Sequence, residues 1–273
     1  MMDTPMRKPK TSTSDTSNRE GLLIGERRQR MLELIQRDGR VLVSELSDIF
    51  GISRITIRKD LDYLESKGLL QRSHGGALPR SSVLIDPPLK AKEQHQLKEK
   101  QRIAAAAVKL IQEGQCVLLD SGTTTTAIAR ALSGFTNLTI ITNAVNIATE
   151  LAETDFDVIL TGGTLRKSSF SLAGPIAEDM IREIHADILF LGVDGFDAKA
   201  GLTTPNVLEA RINRAMVHTA EKVVMVCDST KFGRRSLSLI VPADAIHTVI
   251  TDSNLPADQE EAIRGLGIEL ILV

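Results

Sequence analysis

The chain has 273 residues, 42% of them hydrophobic, which is more than one typical domain needs and leads to an expectation of two. No stretch approaches the roughly 20 apolar residues of a membrane span, the start lacks a secretory signal's apolar centre, and the two cysteines, Cys116 and Cys227, are too few for a disulfide framework or cysteine zinc site. The net charge of −2 hides a split: residues 1–80 carry 15 Lys and Arg against 11 Asp and Glu, the rest 18 against 24, so a confined basic face in a reducing cytoplasm is expected.

Residues 1–21 are polar, rich in Ser and Thr, and carry Pro5 and Pro9 without any periodicity; a disordered tail is expected. A basic amphipathic helix follows over 26–36, its apolar side made by Met31, Leu32, Leu34 and Ile35. Ser44 is placed to cap a short helix to Phe50, and Gly51 to turn the chain. Ser53 then caps a second helix running to about Lys67, with Gly68 as its stop. On that helix Ile57, Leu61 and Leu64 share one apolar face, which leaves Ile55, Thr56, Arg58, Lys59 and Asp62 outside. Arg can fork onto guanine, Lys can meet phosphate, and an aliphatic group can touch a thymine methyl, so this face suits a DNA major groove. A plain solvated helix face is the competing reading, and the flanks weigh against it. Residues 69–78 form two strand-like runs about His74-Gly75-Gly76, and residues 41–43 can pair with them. Three helices plus a hairpin make a winged helix-turn-helix over 22–80. Its expected DNA contacts are Ser53, Arg54, Ile55, Thr56, Arg58 and Lys59, with Arg72 and His74 from the wing.

Pro79, Ser81, Ser82 and the Asp86-Pro87-Pro88 turn mark a linker, assigned to 81–97. The second domain, 98–273, alternates helical segments with short apolar runs at 117–119, 139–141, 158–160, 188–191, 223–226, 249–250 and 268–273. Such runs, bounded by turns, predict a buried and largely parallel α/β sheet. Polar turns follow them. Asp120-Ser121-Gly122-Thr123-Thr124-Thr125 precedes a helix, so backbone N–H groups and hydroxyls surround one point and can hold a phosphate. Ordinary helix capping explains the same run equally well, and no Gly-Lys-Ser/Thr follows to make it a nucleotide-hydrolysing loop. Asn143, Gly163, Asp194 and Lys231 lie in the turns after later strands, all at the carboxyl edge where small ligands bind. His95, His185, His218 and His247 have no metal-ligand spacing, and neither a metal nor a cofactor is expected. Arg166-Lys167 follows the Gly-Gly turn, where it is placed either to reach an anionic ligand or to form a solvated loop, the second being favoured, and Arg234-Arg235 reads as surface charge.

The order Arg27…Met31…Ser53-x-x-Thr56-Ile57-Arg58-Lys59-Asp60-Leu61 resembles the DeoR family of bacterial transcription regulators, and the resemblance extends over nearly all of 22–273. It implies a sensor domain with a ribose-5-phosphate-isomerase-like fold. Residues 120–125 match that family's phosphate-holding turn, Asp194-Gly195-Phe196-Asp197 the isomerase's paired aspartates, Glu209 its catalytic carboxylate, and Asp228-Ser229-Thr230-Lys231 a turn whose lysine faces sugar phosphate. The runs 189–194, 209–214 and 269–273 carry a closer resemblance to members that govern galactosamine utilisation. The chain also departs from the isomerase. Lys199 is followed by Ala200-Gly201-Leu202-Thr203, with no glycine run and a shorter spacing. Proton transfer needs a carboxylate and a charge-stabilising lysine together, and that pair is not expected here.

The expectation is therefore a cytoplasmic, homo-oligomeric DNA-binding repressor of a carbohydrate operon, not an enzyme and not on a membrane, whose partners are operator DNA and a phosphorylated sugar. The effector contacts expected are Asp120, Ser121, Gly122, Thr123, Thr124, Thr125, Asn143, Gly163, Asp194, Glu209 and Lys231. A sugar-phosphate isomerase with a DNA-binding appendage is the alternative. A nucleotide-binding activator is disfavoured by the missing P-loop.

Overall fold

The computed structural model describes residues 24–38, 41–67, 69–73, 75–79 and 88–273, which cluster into two units, one within 1–80 and one within 81–273. The expected tail, Gly68 and His74 lie outside the described residues, as do residues 81–87 of the expected linker.

In the first unit α1 (Ile24–Asp38) and β1 (Val41–Leu42) lead into α2 (Val43–Phe50) and α3 (Arg54–Ser66). Strands β2 (Leu70–Ser73) and β3 (Gly76–Pro79) follow as an antiparallel pair, and β1 joins on the far side of β3. The winged helix-turn-helix is thus the observed architecture. Its core is a single cluster in which Met31 and Ile35 of α1, Leu46 of α2, and Ile57, Leu61 and Leu64 of α3 are buried. Gly51 ends α2 at φ 63°, a left-handed conformation that costs glycine least. The start of α2 differs from the sequence expectation. Ser44 lies one residue inside the helix, and Glu45 supplies the cap by accepting from the Leu42 N–H at 3.0 Å.

The second unit opens with α4 (Leu89–Gln94) and α5 (Leu97–Val108). The expected linker is corrected here: residues 89–97 are structured, and Leu89 is buried with its N–H donating to the Ser168 carbonyl at 2.8 Å. Next come β4 (Cys116–Leu119), α6 (Thr123–Arg130), β5 (Thr139–Thr142), α7 (Val145–Leu151) and β6 (Asp157–Leu160). A hairpin of β7 (Thr164–Arg166) and β8 (Ser171–Ala173) leads to α8 (Pro175–Arg182) and β9 (Ala186–Leu191). Strands β10 (Gly195–Asp197) and β11 (Gly201–Thr204) precede α9 (Val207–Thr219), β12 (Ala220–Val226) and β13 (Ser238–Val241). The chain then adds β14 (Thr248–Thr251), α10 (Ala257–Gly265) and β15 (Glu269–Leu272).

Seven of these strands make one sheet in the order β15-β14-β12-β9-β4-β5-β6, and every adjacent pair in it is parallel. Both faces are covered, which is why the strands read as unbroken apolar runs. Leu118, Leu189 and Met225 point into one layer with α8 and α9, while Val117, Phe190 and Val224 point into the other with α5, α6 and α7. A smaller sheet, β10-β11-β13, packs beside α9. The topology positions the site. From β4 the chain moves outward through β5 and β6, then returns to lay β9 on the other side of β4. The loops after β4 and β9 therefore diverge over a crevice at the carboxyl edge, the place where open α/β sheets hold ligands.

Candidate functional site

Two groups of residues carry chemistry, one in each unit. In the first, Ser53 caps α3 by accepting from the Thr56 N–H at 3.2 Å, and the two hydroxyls lie 2.9 Å apart. Arg54, Arg58 and Lys59 are exposed, Thr56 is half-buried, and Ile55 is 65% exposed. An isoleucine left that bare beside three cations is costly in water and useful against a base methyl. The buried side of α3 carries Asp60 as well as the apolar face. Its Oδ2 accepts from Arg27 Nε at 2.8 Å, and its Oδ1 from Arg28 Nε at 2.8 Å. Arg28 also lies over the Tyr63 ring, 3.7 Å from its centroid. Two arginines thus fasten α1 to the recognition helix.

In the second unit the crevice is lined from several loops. Asp120, after β4, is buried, and its Oδ1 accepts from the Gly122 N–H at 3.1 Å and the Thr125 hydroxyl at 2.8 Å. A Cβ at Gly192 would stand 3.3 Å from Asp120 Oδ2, so the bare glycine lets the β9 loop close on this carboxylate. Burial pushes the Asp120 carboxyl up to about 7, against the opposing hydrogen bonds from Thr125, Gly122 and Gly192. Asp194, after β9, is met by Lys92 of α4 at 2.9 Å and by Lys231 at 3.8 Å, both on the same oxygen. Burial raises its pKa, but the two lysines outweigh that and hold it below the usual carboxylate range. The Thr204 hydroxyl lies 3.4 Å from Asp194 Oδ2 and 3.2 Å from Glu209 Oε2, so it bridges the two acids. Glu209 is paired with Arg166 at 3.0 Å. Lys100 of α5 is buried and donates to the carbonyls of Lys92, at 2.6 Å, and of His95. Desolvation lowers its pKa to about 8, with Asp228 opposing and Lys231 and Lys92 adding to the fall. Three ammonium groups therefore share one neighbourhood with Asp194, Asp228 and Glu93, and an anion of more than one charge could accept from the lysines.

The match to known families follows this division. Residues 27–83 match the DeoR-like helix-turn-helix domain, and residues 95–253 match the DeoR C-terminal sensor domain. The chain belongs to the DeoR family. It is a DNA-binding transcription regulator. It is 42% identical to a protein assigned as the aga operon transcriptional repressor in Escherichia coli O157:H7, over 91% of this chain and 93% of the relative. It is 44% identical to the regulator GlpR of Haloferax volcanii over 92% and 98%. The glycerol-3-phosphate regulon repressor of Escherichia coli K12 is 34% identical over 90% and 98%. Among solved structures, ribose 5-phosphate isomerase A of Neisseria gonorrhoeae aligns over 50% of this chain and 53% of its own, with 17% identity and a TM-score of 0.38.

Placed on this DeoR fold, the expected residues divide. Asp120, Ser121, Asp194, Glu209 and Lys231 all lie at the carboxyl edge, with Asn143 after β5 and Gly163 after β6. Gly122 is the N-cap of α6, with Thr123 and Thr124 in its first turn. Thr125 lies deeper: it is fully buried, and its hydroxyl is within hydrogen-bond reach of Asp120 Oδ1 at 2.8 Å and the Gly122 carbonyl at 2.9 Å, so it braces the turn from within. Ser121 Oγ and Asn143 Oδ1 are buried polar atoms with no hydrogen-bond partner among the described residues. The paired aspartates also separate. Asp194 stays with the lysines, whereas Asp197 caps the β10–β11 turn and binds Arg235 at 3.0 Å. Arg72 is tied to Asp62 at 3.0 Å and to the Gly76 carbonyl at 2.9 Å, which makes it a brace of the wing. Arg166, read from sequence as solvated, is a largely buried partner of Glu209. Lys92 and Lys100 were missed altogether. Both sit in a run, 89–100, so rich in charge that no periodicity singles them out.

Among the described residues no helix is long and apolar enough to cross a membrane, and no three His, Cys, Asp or Glu converge as a metal site.

Proposed function

We propose that this regulator is a homo-oligomeric, cytoplasmic repressor of a carbohydrate operon, galactosamine utilisation being the first candidate, and that a phosphorylated sugar at the crevice between β4 and β9 weakens its hold on operator DNA. The observation that carries this reading is the meeting of Lys92 and Lys231 on one oxygen of Asp194 at the switch point of the sheet, with the buried Lys100 close to both lysines. A neutral sugar would leave those charges crowded. A phosphate dianion accepts from them and from the backbone N–H groups that open α6, while Asp194 and Glu209 remain to accept from sugar hydroxyls or an amino group. The relatives named for the aga operon and for glycerol 3-phosphate support the same class of signal.

The reading includes recognition without turnover. Glu209 is occupied by Arg166 and Thr204, Asp197 is engaged by Arg235, and Lys199 is exposed at a hairpin tip. A carboxylate base and a lysine poised on one developing oxyanion would be needed for isomerisation. Assembly into a dimer or tetramer belongs to the proposal because one winged helix covers little DNA, and specific binding generally uses repeated half-sites.

The test is operator affinity measured with a sugar phosphate, with its unphosphorylated parent, and with neither. The phosphate should shift affinity by about 5- to 150-fold, the usual range of allosteric coupling, and the parent should do nothing. Lys231→Ala should reduce the response while leaving effector-free operator binding near wild type. Equal action by the free sugar would remove the phosphate from the proposal.

A further inference from the structure

Lys92 and Lys231, which meet Asp194, and their neighbour Lys100 are not held alike. Lys100 rides on α5, which is sunk into the core through Ile103, Ala104 and Ala107. Lys231 ends a turn pinned by the Asp228 carboxylate, which accepts from the Thr230 N–H at 3.1 Å, and by Asp252, which accepts from the Ser229 N–H at 2.7 Å. Lys92 sits on α4, a helix of six residues that buries only Leu89. A helix that short does not stand by itself, so its place is set by its tertiary contacts. These include the Leu89 N–H on the Ser168 carbonyl, Lys100 on the carbonyls of Lys92 and His95, an exposed Glu93–Arg130 pair at 4.0 Å, and the Lys92–Asp194 bridge. The corner into α5 is made by Gln96 at φ 52°, a left-handed conformation that a residue with a side chain adopts at a cost. The buried Lys100 ammonium, bonded to the carbonyls just before that corner, holds it shut. Segments with few apolar anchors are the ones whose order changes when a ligand binds.

Position along the chain gives α4 its interest: among the described residues it is the first element of the second unit, following the DNA-binding unit in sequence. Asp194 offers Lys92 and Lys231 a single oxygen, whereas a phosphate offers both of them oxygens of their own. We propose that Lys92 is an effector-binding residue that leaves Asp194 for the effector's anion, and that α4 is the element whose order reports the occupied site. This rests on the anion site argued under the proposed function. What it adds is the residue that senses the anion and the element through which the signal leaves. The Lys92 side chain is long enough to change partners while its backbone stays in α4. An anion bound to all three lysines then clasps α4 against α5 and the turn at 231.

The test is hydrogen exchange on the full chain with saturating inorganic phosphate as the probe, alongside its thermal melting point. The Ala91 and Lys92 amides, both bonded to the Pro88 carbonyl, should exchange about fivefold or more slowly with phosphate bound, while amides in the interior of β9 and β12 change little. Lys92→Gln should abolish that protection and weaken phosphate binding, and Lys92→Arg should restore both. If phosphate raises the melting point but leaves α4 exchange unchanged, or if Lys92→Gln keeps the full protection, the inference is overturned and the anion site stands. If neither phosphate nor a sugar phosphate moves the melting point, the anion site falls and takes the inference with it.

Discussion

Asp60 in the first unit and Asp194 in the second are both carboxylates drawn from water and met by two cations, yet they are built for different ends. Asp60 receives arginines, one for each oxygen, at 2.8 Å, and a tyrosine ring covers one of those arginines from outside. Planar guanidinium forks match a carboxylate, so the arrangement is satisfied as it stands. Asp194 receives lysines, both on one oxygen, at 2.9 and 3.8 Å, with a third lysine nearby. An ammonium is a compact charge that changes partners easily, and here two compete for one acceptor. The first is a clamp. The second is an uneven arrangement, two lysines sharing one oxygen of a single carboxylate. On the proposed reading the two serve different needs: α3 is held fixed for DNA, while the charges at Asp194 rearrange when a signal arrives.

The largest expected effect breaks the clamp. Asp60→Ala strands the two arginines, and removing one partner of a buried ion pair costs about 3–5 kcal/mol. The core of the first unit is one small cluster, so that loss should unfold it, whereas the sheet-based unit has a core of its own. Chemical unfolding followed on both units should show the first transition moved far to lower denaturant and the second in place, with operator binding abolished. A single transition that moves as a whole would mean that the two units do not respond separately.

A smaller effect is expected where the clamp presents its helix to DNA. Arg58 is exposed and lies off the Ile57, Leu61 and Leu64 face, so Arg58→Ala should leave folding intact. Operator affinity should fall by about 1–3 kcal/mol if Arg58 forks onto a guanine, and discrimination at that base should relax. A mere phosphate contact would instead weaken all sequences alike and reduce the salt dependence. Titration against operator and scrambled duplex at two salt concentrations separates the two, and unchanged affinity for both would remove Arg58 from the interface.

The contrast also shows what a sequence makes legible. All seven strands of the main sheet were visible as apolar runs, because a strand buried on both faces keeps no polar alternation to disguise it. The α3 face was visible because Ile57, Leu61 and Leu64 follow the helical period. The short α4 was hidden by its proline-rich approach and by charges that read as a solvated linker, with Leu89 its one apolar anchor. Lys92 and Lys100 were hidden with it, since only tertiary packing decides which lysine of a charged run is taken into a site. The threonine run after β4 marked the start of α6 but not how each hydroxyl is bonded, and that of Thr125 meets Asp120. Strands β10 and β11 escaped notice because each holds one large apolar residue, Phe196 or Leu202, among glycine and polar residues, and so makes no apolar run.

The smallest effect sharpens the comparison through pH. Asp120 has a folded pKa raised from 3.8 to about 7 by burial. Between those values the folded protein holds a proton on Asp120 that the unfolded chain has released, so this residue makes stability fall as pH rises from about 4 to about 7, and the loss levels off above. The slope from one such group cannot exceed about 1.4 kcal/mol per pH unit. Asp194 and Asp252 act in the other sense, because their pKa values are held down: they favour the fold above the unfolded carboxylate pKa and lose that contribution as pH drops through their folded values. The total curve mixes these, so the informative quantity is the difference between wild type and Asp120→Asn. Asparagine keeps an oxygen to accept from Gly122 N–H and the Thr125 hydroxyl, but its amide nitrogen cannot accept from Gly192 as the carboxylate does. That defect is nearly independent of pH and shifts the level, not the slope. Urea unfolding between pH 5 and 8 should therefore show the variant gaining on the wild type steadily up to about pH 7 and in parallel with it beyond. Parallel curves over the whole range would mean that Asp120 is already ionised in the folded protein, and that the crevice is more polar than its burial implies.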